Sequence, residues 1–340
     1  MKLLTIAIPT YNRVAALELL LLSLQTELEG LEDIVQVMVS DNASTDATPQ
    51  LLQEMRTRWP ALLTRSNPQN IGPEANFCEC LDRIDSSYFW ILGDDDLPKT
   101  GVVRRLTALL ASESPDLLYM QSEWVNPITG PSQGAPVAEL HCQLLSRIDF
   151  ARRVHVWCTF ISGMVVNRER LAAALGGDSI RHYVGTSLVQ LGWVFPLLRC
   201  GTKFAFVSDP CVLATKDNSG GYALLTVFGT NFSRIVRETF FEQPRIANLL
   251  IARNMSRYLP GIIWGSRAKR GPRFVVENPW PELRKTLGTK PLFWLLLIPL
   301  GRFPRIAALP FYQSWRVVNR LCRERDRLTD TLRRARPQTP

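Results

Sequence analysis

Three consecutive carboxylates, Asp94, Asp95 and Asp96, follow Gly93 at the end of the apolar run Tyr88–Leu92. Like charges a few ångströms apart raise one another's pKa, so such a cluster is costly without a positive partner. A divalent cation is the simplest partner. Hard oxygen ligands on a loop suit Mn2+ or Mg2+, which keep one or two protein carboxylates and complete their shell with water and substrate phosphates. The competing reading is a solvated acidic turn, and the chain before the triplet decides between them.

Leu3–Ile8 reads as a first strand and ends in the turn cluster Pro9, Thr10, Tyr11, Asn12 and Arg13. Leu17, Leu20, Leu21, Leu24 and Leu28 then recur at helical spacing. Ile34–Val39 is a second strand, followed by a polar loop that contains Asp41. Thr48 before Pro49 predicts an N-cap and a helix to about Trp59. Ala61–Ser66 is a weaker strand, Asn67–Gly72 a loop with Asn70 and Gly72, and Pro73 opens a helix to about Ile84. The Tyr88 strand comes next. Strand alternating with helix at this spacing predicts a parallel sheet covered by helices, whose ligands bind beyond the carboxyl ends of the strands. The loops at Pro9, Ser40, Asn67 and Asp94 therefore share one rim. No Gly-x-Gly-x-x-Gly or Gly-x-x-x-x-Gly-Lys-Ser/Thr follows any of these strands, so a dinucleotide or P-loop site is not expected.

Beyond Lys99 the sequence predicts a helix to Leu110, a strand over Leu117–Val125, an exposed loop over Asn126–Glu139, a strand over Phe160–Asn167, and a helix over Arg168–Leu175 ended by Gly176-Gly177. Seven cysteines without a Cys-x-x-Cys pair fit reduced thiols in a cytoplasmic protein and no zinc site. The net charge of +9 is uneven. Gly265–Lys290 and Gly301–Pro340 carry +12 between them and leave about −3 for everything else. A basic tail on a nearly neutral body calls for a local anionic partner. Leu292–Ile298 is too short to span a bilayer of about 30 Å. Its Trp and Phe, with Arg302 and Arg305, fit an interfacial segment on an anionic membrane surface, the alternative being a buried core helix. Gln313–Arg336 reads as an Arg-rich helix that extends this surface or pairs with another chain as an oligomer contact.

In order and spacing, Ile-Ala-Ile-Pro-Thr-Tyr-Asn-Arg, Val-Ser-Asp-Asn-Ala-Ser-Thr-Asp, Asn-Ile-Gly-Pro-Glu-Ala-Asn and the strand ending in Asp-Asp-Asp resemble a family 2 glycosyltransferase, over about the first 125 residues. The resemblance implies an α/β fold of GT-A type: a Rossmann-like, mostly parallel sheet with flanking helices. A helical, membrane-associated extension at the C-terminus would follow it. It implies a nucleotide-sugar-binding half over residues 1–125 and an acceptor half over 126–220; from Gly220 the resemblance gives out, and residues 221–340 read from their own pattern as a basic helical extension. Pro9, Thr10, Tyr11, Asn12, Arg13, Asp41, Asn70, Gly72 and Asp94 become donor-binding residues, and Asp95 and Asp96 the metal site. Gly93 stands where the family usually has its first Asp. Many inverting members also place a Glu-Asp pair before a later helix; here that position falls on Val189-Gln190, which offers no base. Asp178, with His182 beside it, is the expected substitute, and Asp209 before Pro210 reads as a turn former.

The expected activity is transfer of a hexose or deoxyhexose to a lipid-linked glycan acceptor in surface-polysaccharide (O-antigen type) synthesis. It is metal-assisted, inverting and carried out at the inner face of the cell membrane. A sugar nucleotidyltransferase would want a Gly- and Lys-bearing loop after the first strand, and Pro9–Arg13 has neither. A non-catalytic nucleic-acid or membrane scaffold is the other alternative, but the acidic triplet would repel phosphates without metal, so no nucleic-acid partner is expected.

Overall fold

The computed structural model describes residues 1–126, 136–216, 223–267 and 278–334, with side chains through 326. Most of the Asn126–Glu139 loop lies outside the described residues. Two compact units form: Met1–Phe150 with Trp157–Asn218, and Ala151–Val156 with Ser219–Pro340.

The first unit is built on one mixed sheet. Its N-terminal strands are β1 (Leu4–Thr10), β2 (Val35–Asp41), β3 (Leu63–Ser66) and β4 (Tyr88–Ile91), interleaved with α1 (Val14–Glu27), α2 (Thr48–Arg58) and α3 (Pro73–Leu81). β5 (Leu97–Pro98), α4 (Val102–Glu113), β6 (Leu117–Val125), β7 (Cys142–Leu145) and α5 (Arg147–Val154) follow. β8 (Met164–Asn167), α6 (Arg168–Leu175), α7 (Leu191–Cys200) and β9 (Phe204–Thr215) complete the series. The sheet order is β3-β2-β1-β4-β8-β6-β9-β5, with β7 on β9. The first four strands are parallel, and β8 enters antiparallel between β4 and β6. β1 and β4 are buried along their whole length, as strands covered on both faces must be, which is why they read as continuous apolar runs. α1 covers them with Leu17, Leu20, Leu21 and Leu24.

Register positions the chemistry. β1 pairs Thr10 with Asp41 of β2, and Asp41 pairs with Ser66 of β3. β4 stops beside Ala7, three residues short of the end of β1. The Asp94–Asp96 loop therefore starts where the last residues of β1 run past the end of β4.

Three local expectations are corrected. The predicted strand over Phe160–Asn167 is only Met164–Asn167, preceded by a 3-10 turn over Ile161–Gly163, because Ser162 points inward to make side-chain bonds. Thr48 opens α2 as its first residue rather than capping it, and the Asp46 carboxylate accepts from its N–H at 3.0 Å. Asp209-Pro210 does not turn the chain. Both lie inside β9, where the ladder with β6 slips at Gln121, and Asp209 accepts from the His141 backbone N–H at 2.5 Å. An irregular ladder tolerates the donor that Pro210 lacks.

The second unit is helical: α8 (Phe232–Thr239), α9 (Pro244–Arg253), α10 (Leu259–Ser266), α11 (Trp280–Leu287), α12 (Ile298–Arg302) and α13 (Arg305–Arg334), with π-helical turns over Thr226–Asn231, Asn254–Tyr258 and Phe293–Leu297. The segment expected at a membrane interface is two-faced. Phe293, Leu297 and Leu300 are fully buried, whereas Trp294 and Leu295 are 46% and 69% exposed. α13 starts eight residues before the predicted Gln313 and runs through Pro310. The carbonyl that Pro310 leaves without a partner belongs to Ile306, an exposed residue where solvent can satisfy it. Among the described residues no helix is long and apolar enough to cross a membrane.

Candidate active site

The three carboxylates have three different environments. Asp94 is buried; its Oδ2 accepts from Thr10 Oγ1 at 2.7 Å and its Oδ1 lies 3.5 Å from Arg13 Nη1. Asp95 is part-exposed and its Oδ2 accepts from Arg13 Nη1 at 2.6 Å. Asp96 is buried and committed on both sides: Ser162 Oγ donates to Oδ2 at 2.5 Å and the Thr215 N–H to Oδ1 at 3.1 Å. The same Ser162 hydroxyl accepts from the Gly93 N–H at 2.9 Å. A Cβ at Gly93 would meet Asp96 Oδ2 at 3.1 Å and Ser162 Oγ at 3.3 Å, so the usual first Asp of the family motif has little room here.

Charge follows this geometry. Burial, with Asp95 adding repulsion, pushes Asp94 up to about 6 against the pull of Arg13 and Thr10. Burial and Asp95 push Asp96 up to about 7 despite the bonds from Ser162 and Thr215. Burial works against the Arg13 charge, yet Asp94 and Asp95 outweigh it and raise its pKa. A guanidinium thus already supplies the positive partner that the triplet requires.

The remaining rim residues are tied into one another. Asn12 has a left-handed backbone, φ 53°, and its Oδ1 accepts from the Thr45 N–H at 2.7 Å, stapling the β1 loop to the β2 loop. Asp41 is 1% exposed; it accepts from the Ser44 N–H at 3.1 Å and from Ser66 Oγ at 3.2 Å. Asn70 accepts from Asn42 Nδ2 at 2.8 Å and from the Gly72 N–H at 2.9 Å. Gly72 has φ 83° and nothing within 4 Å of a notional Cβ, so glycine is needed there for its backbone alone. Tyr11, next to Pro9 and Thr10, is 40% exposed. Sequence reasoning missed the buried asparagines behind this rim. Asn67 donates to Asn42 Oδ1 and Asn76 Oδ1, each at 3.0 Å, and Ser40 Oγ donates to Asn76 Oδ1 at 2.7 Å. Amides read locally as turn formers, and only their convergence shows a network.

Asp178 and His182 make no hydrogen bond or ion pair with the carboxylate loop among the described residues. Asp178 is exposed on the turn after α6, and His182 is exposed with its ring edge-on to the buried Tyr183. The chain from there runs along α3. Arg181 pairs with Glu79 at 3.1 Å and with Asp82 at the C-terminal end of that helix. At its first turn Glu74 accepts from the Gly185 N–H at 2.7 Å and the Val189 N–H at 3.1 Å. α3 begins at the Asn70–Gly72 rim, so the segment rises toward that rim as it passes from Arg181 to Val189. Gln190 is buried, and its amide donates to the Thr159 carbonyl at 2.7 Å. Glu74 was not anticipated, because an acid in a first helical turn is sufficiently explained by the helix dipole.

Known proteins resemble this chain in sequence and in fold. The Glycosyl transferase family 2 profile matches residues 5–166. The abequosyltransferase RfbV of Salmonella typhimurium is 28% identical over 228 residues, 64% of this chain and 67% of its own. Among solved structures, S. aureus TarS superposes with TM-score 0.58 at 18% identity over 93% of this chain, which spans 55% of TarS. The fragment TarS 1–349 gives 0.57 over 95% of this chain and 92% of its own. The mannosyltransferase PcManGT of Pyrobaculum calidifontis gives 0.50 at 16% identity, over 93% and 86%. Mixed sheet, flanking helices and rim together define a GT-A-like fold. Residues 5–166, just under half of the chain, match glycosyl transferase family 2.

Proposed function

We propose that this chain transfers a hexose or deoxyhexose from a nucleotide sugar to a hydroxyl of a lipid-linked glycan in surface-polysaccharide synthesis, with inversion and with help from a divalent cation. One observation carries the reading: β1 and β4 bring Thr10, Arg13, Asp94 and Asp95 into direct contact at the carboxyl ends of parallel strands, where ligands of such sheets bind. The relatives are consistent with it. RfbV is an abequosyltransferase, TarS 1–349 was crystallised with UDP-GlcNAc, and PcManGT with GDP-Man and Mn2+.

The residues present fit a cation of the Mn2+ or Mg2+ type. Asp95 would hold it, since its carboxylate is part-exposed and already accommodates a positive group, whereas both Asp96 oxygens are spent on Ser162 and Thr215. Such an ion neutralises the diphosphate that leaves with the nucleoside. Asp94, held by Thr10, faces the ribose, and the Asn12, Asp41 and Asn70 loops form the nucleotide cradle. Arg13 adds a second positive charge beside the leaving group. Proton acceptance from the acceptor hydroxyl falls to the Asp178–His182 stretch. His182 is favoured because it is nearer in the chain to Gly185, which Glu74 ties to the first turn of α3. The basic C-terminal unit would hold the enzyme at an anionic membrane surface.

The test is incubation of the full chain with a panel of nucleotide sugars and Mn2+. Slow release of nucleoside diphosphate from one donor, lost in Asp95→Asn, supports the proposal. Exchange of added pyrophosphate into a donor, or no turnover of any donor, would overturn it.

A further inference from the structure

The C-terminal unit contains a cavity of about 330 Å3 between α9, the Asn254–Tyr258 turn and α13. Three arginines line it: Arg253, Arg257 and Arg325. Arg257 donates to Asn319 Oδ1 at 3.0 Å and lies 3.7 Å from Asp326. Arg253 is different. Its guanidinium makes no hydrogen bond and no ion pair within 4 Å among the described residues, although it is half-buried; Arg257 and Arg152 repel it, and Asp326, already paired with Arg257, attracts it from farther off. His155, also close to Arg253 and Arg257, has its Nδ1 buried without a hydrogen-bond partner. A desolvated guanidinium without a hydrogen-bonded partner is expensive, and its planar fork of donors suits a phosphate.

The rest of the wall is Ser256, Asn319 and Cys322 together with an aliphatic side. Leu249, Ala252 and Leu292 line the cavity, and Val318 continues it outward to Val317 and Leu321, which are 58% and 59% exposed. Among the described residues no aromatic ring lines it, so that wall offers nothing on which a nucleobase would stack. Cationic fork donors on one side and bare hydrocarbon on the other match an anion that carries an aliphatic chain. Of the anionic groups, phosphates best match several converging guanidinium forks.

We propose that this pocket binds the phosphate or diphosphate head of a long-chain lipid ester, with Arg253, Arg257 and Arg325 on the phosphate oxygens and the first carbons of the chain along Leu249, Leu292 and Val318. The inference deepens the reading of a lipid-linked acceptor and rests on it for its biological meaning. It places in the C-terminal unit a headgroup site separate from the donor rim.

The experiment titrates the full chain with farnesyl diphosphate, pyrophosphate and farnesol by calorimetry, without donor or acceptor sugar. Farnesyl diphosphate should bind at least about tenfold tighter than either half-molecule. Arg253→Gln and Arg325→Gln should each weaken it by about tenfold or more, the loss of one charge-assisted hydrogen bond. Arg325 is exposed and Arg253 has no internal partner to lose, so both variants should keep a cooperative melting transition. Equal affinity for pyrophosphate would make this a free-anion site and overturn the lipid assignment. Equal affinity for farnesol, or wild-type affinity in both variants, would overturn the pocket itself. Binding to phosphatidylglycerol vesicles that matches farnesyl diphosphate and ignores both substitutions would assign the charge to general membrane attraction instead. Because no sugar is present, a chain that turns over no nucleotide sugar yet binds farnesyl diphosphate through Arg253 would refute the proposed transfer alone. Intact transfer without this binding would refute the pocket alone.

Discussion

The two units treat buried charge in opposite ways. In the first, every member of the acidic loop has a named partner: Thr10 and Arg13 for Asp94, Arg13 for Asp95, Ser162 and the Thr215 N–H for Asp96. In the second, Arg253 is half-buried beside Arg257 and Arg152 and has no close carboxylate of its own. A site whose charges are already satisfied is ordered before its ligand arrives, and a site with a charge in excess waits for a counter-ion. The contrast gives each unit a distinct response to substitution.

The largest expected effect separates neighbours within the acidic loop. Asp95→Asn should lower donor turnover by at least about 100-fold, the scale of losing a principal electrostatic stabiliser. Asp96→Asn should cost far less turnover, because that carboxylate is spent on holding Ser162 and β9. Initial rates of nucleoside diphosphate release at saturating Mn2+ decide this, and equal losses would mean that Asp96 leaves its internal partners during catalysis.

Next in size is the proton acceptor. His182→Gln should reduce turnover by about 100-fold with donor affinity unchanged, and Asp178→Asn by less than about tenfold. The reverse order would move the base to the turn after α6. Near wild-type rates in both would send the search to the C-terminal unit.

The contrast in charge compensation has a direct stability test. Arg253→Met removes a half-buried charge with no carboxylate within 4 Å and should raise the melting temperature by a few degrees, about 1 kcal/mol. Arg13→Met strips the acidic loop of its guanidinium and should lower it. Calorimetric melting of both variants at pH 7 reads the two signs, and a matching sign would erase the distinction between the units.

The smallest effect is a pH slope. Asp94 and Asp96 titrate near 6 and 7 in the folded chain and near 4 when unfolded, so between these values the folded state holds more protons. Stability of the metal-free protein should therefore be greatest below about pH 4 with respect to these two groups and decline as pH rises to about 7. Asp96→Asn should flatten that decline. Denaturant midpoints measured across this range check it, and a wild-type slope in the variant would assign the effect elsewhere.

Much of the first unit was legible because its signals are local. A strand buried on both faces must be apolar throughout, a covering helix must repeat its leucines every three or four residues, and a parallel sheet puts its loops on one rim. β1, β2, β4, α1 and α6 follow from these rules to within a residue or two. Where local rules misled, a distant partner had intervened. Ser162 shortened a strand by turning in to Asp96, and β6 drew Asp209-Pro210 into a bulged strand where the pair looked like a turn. Leu292–Ile298 showed the right composition for an interface, but its period was broken by a π-helical turn that sends Phe293 and Leu297 to the core and leaves Trp294 and Leu295 outside.

The sequence by itself determined that this is an α/β chain with an acidic loop at a strand end, polar loops on the same rim and a basic helical tail, since periodicity, turn residues and charge are properties of short stretches. Tertiary structure decided which carboxylate is available. Asp94, Asp95 and Asp96 are chemically identical and adjacent in the chain, and only the approach of Thr10 and Arg13 from β1, Ser162 from the turn before β8 and Thr215 from β9 makes them different. It also decided that Arg253, one arginine among many in a basic tail, lies half-buried with no carboxylate within 4 Å among the described residues. Desolvation and pairing depend on what distant segments bring into contact, and no window of sequence contains both partners.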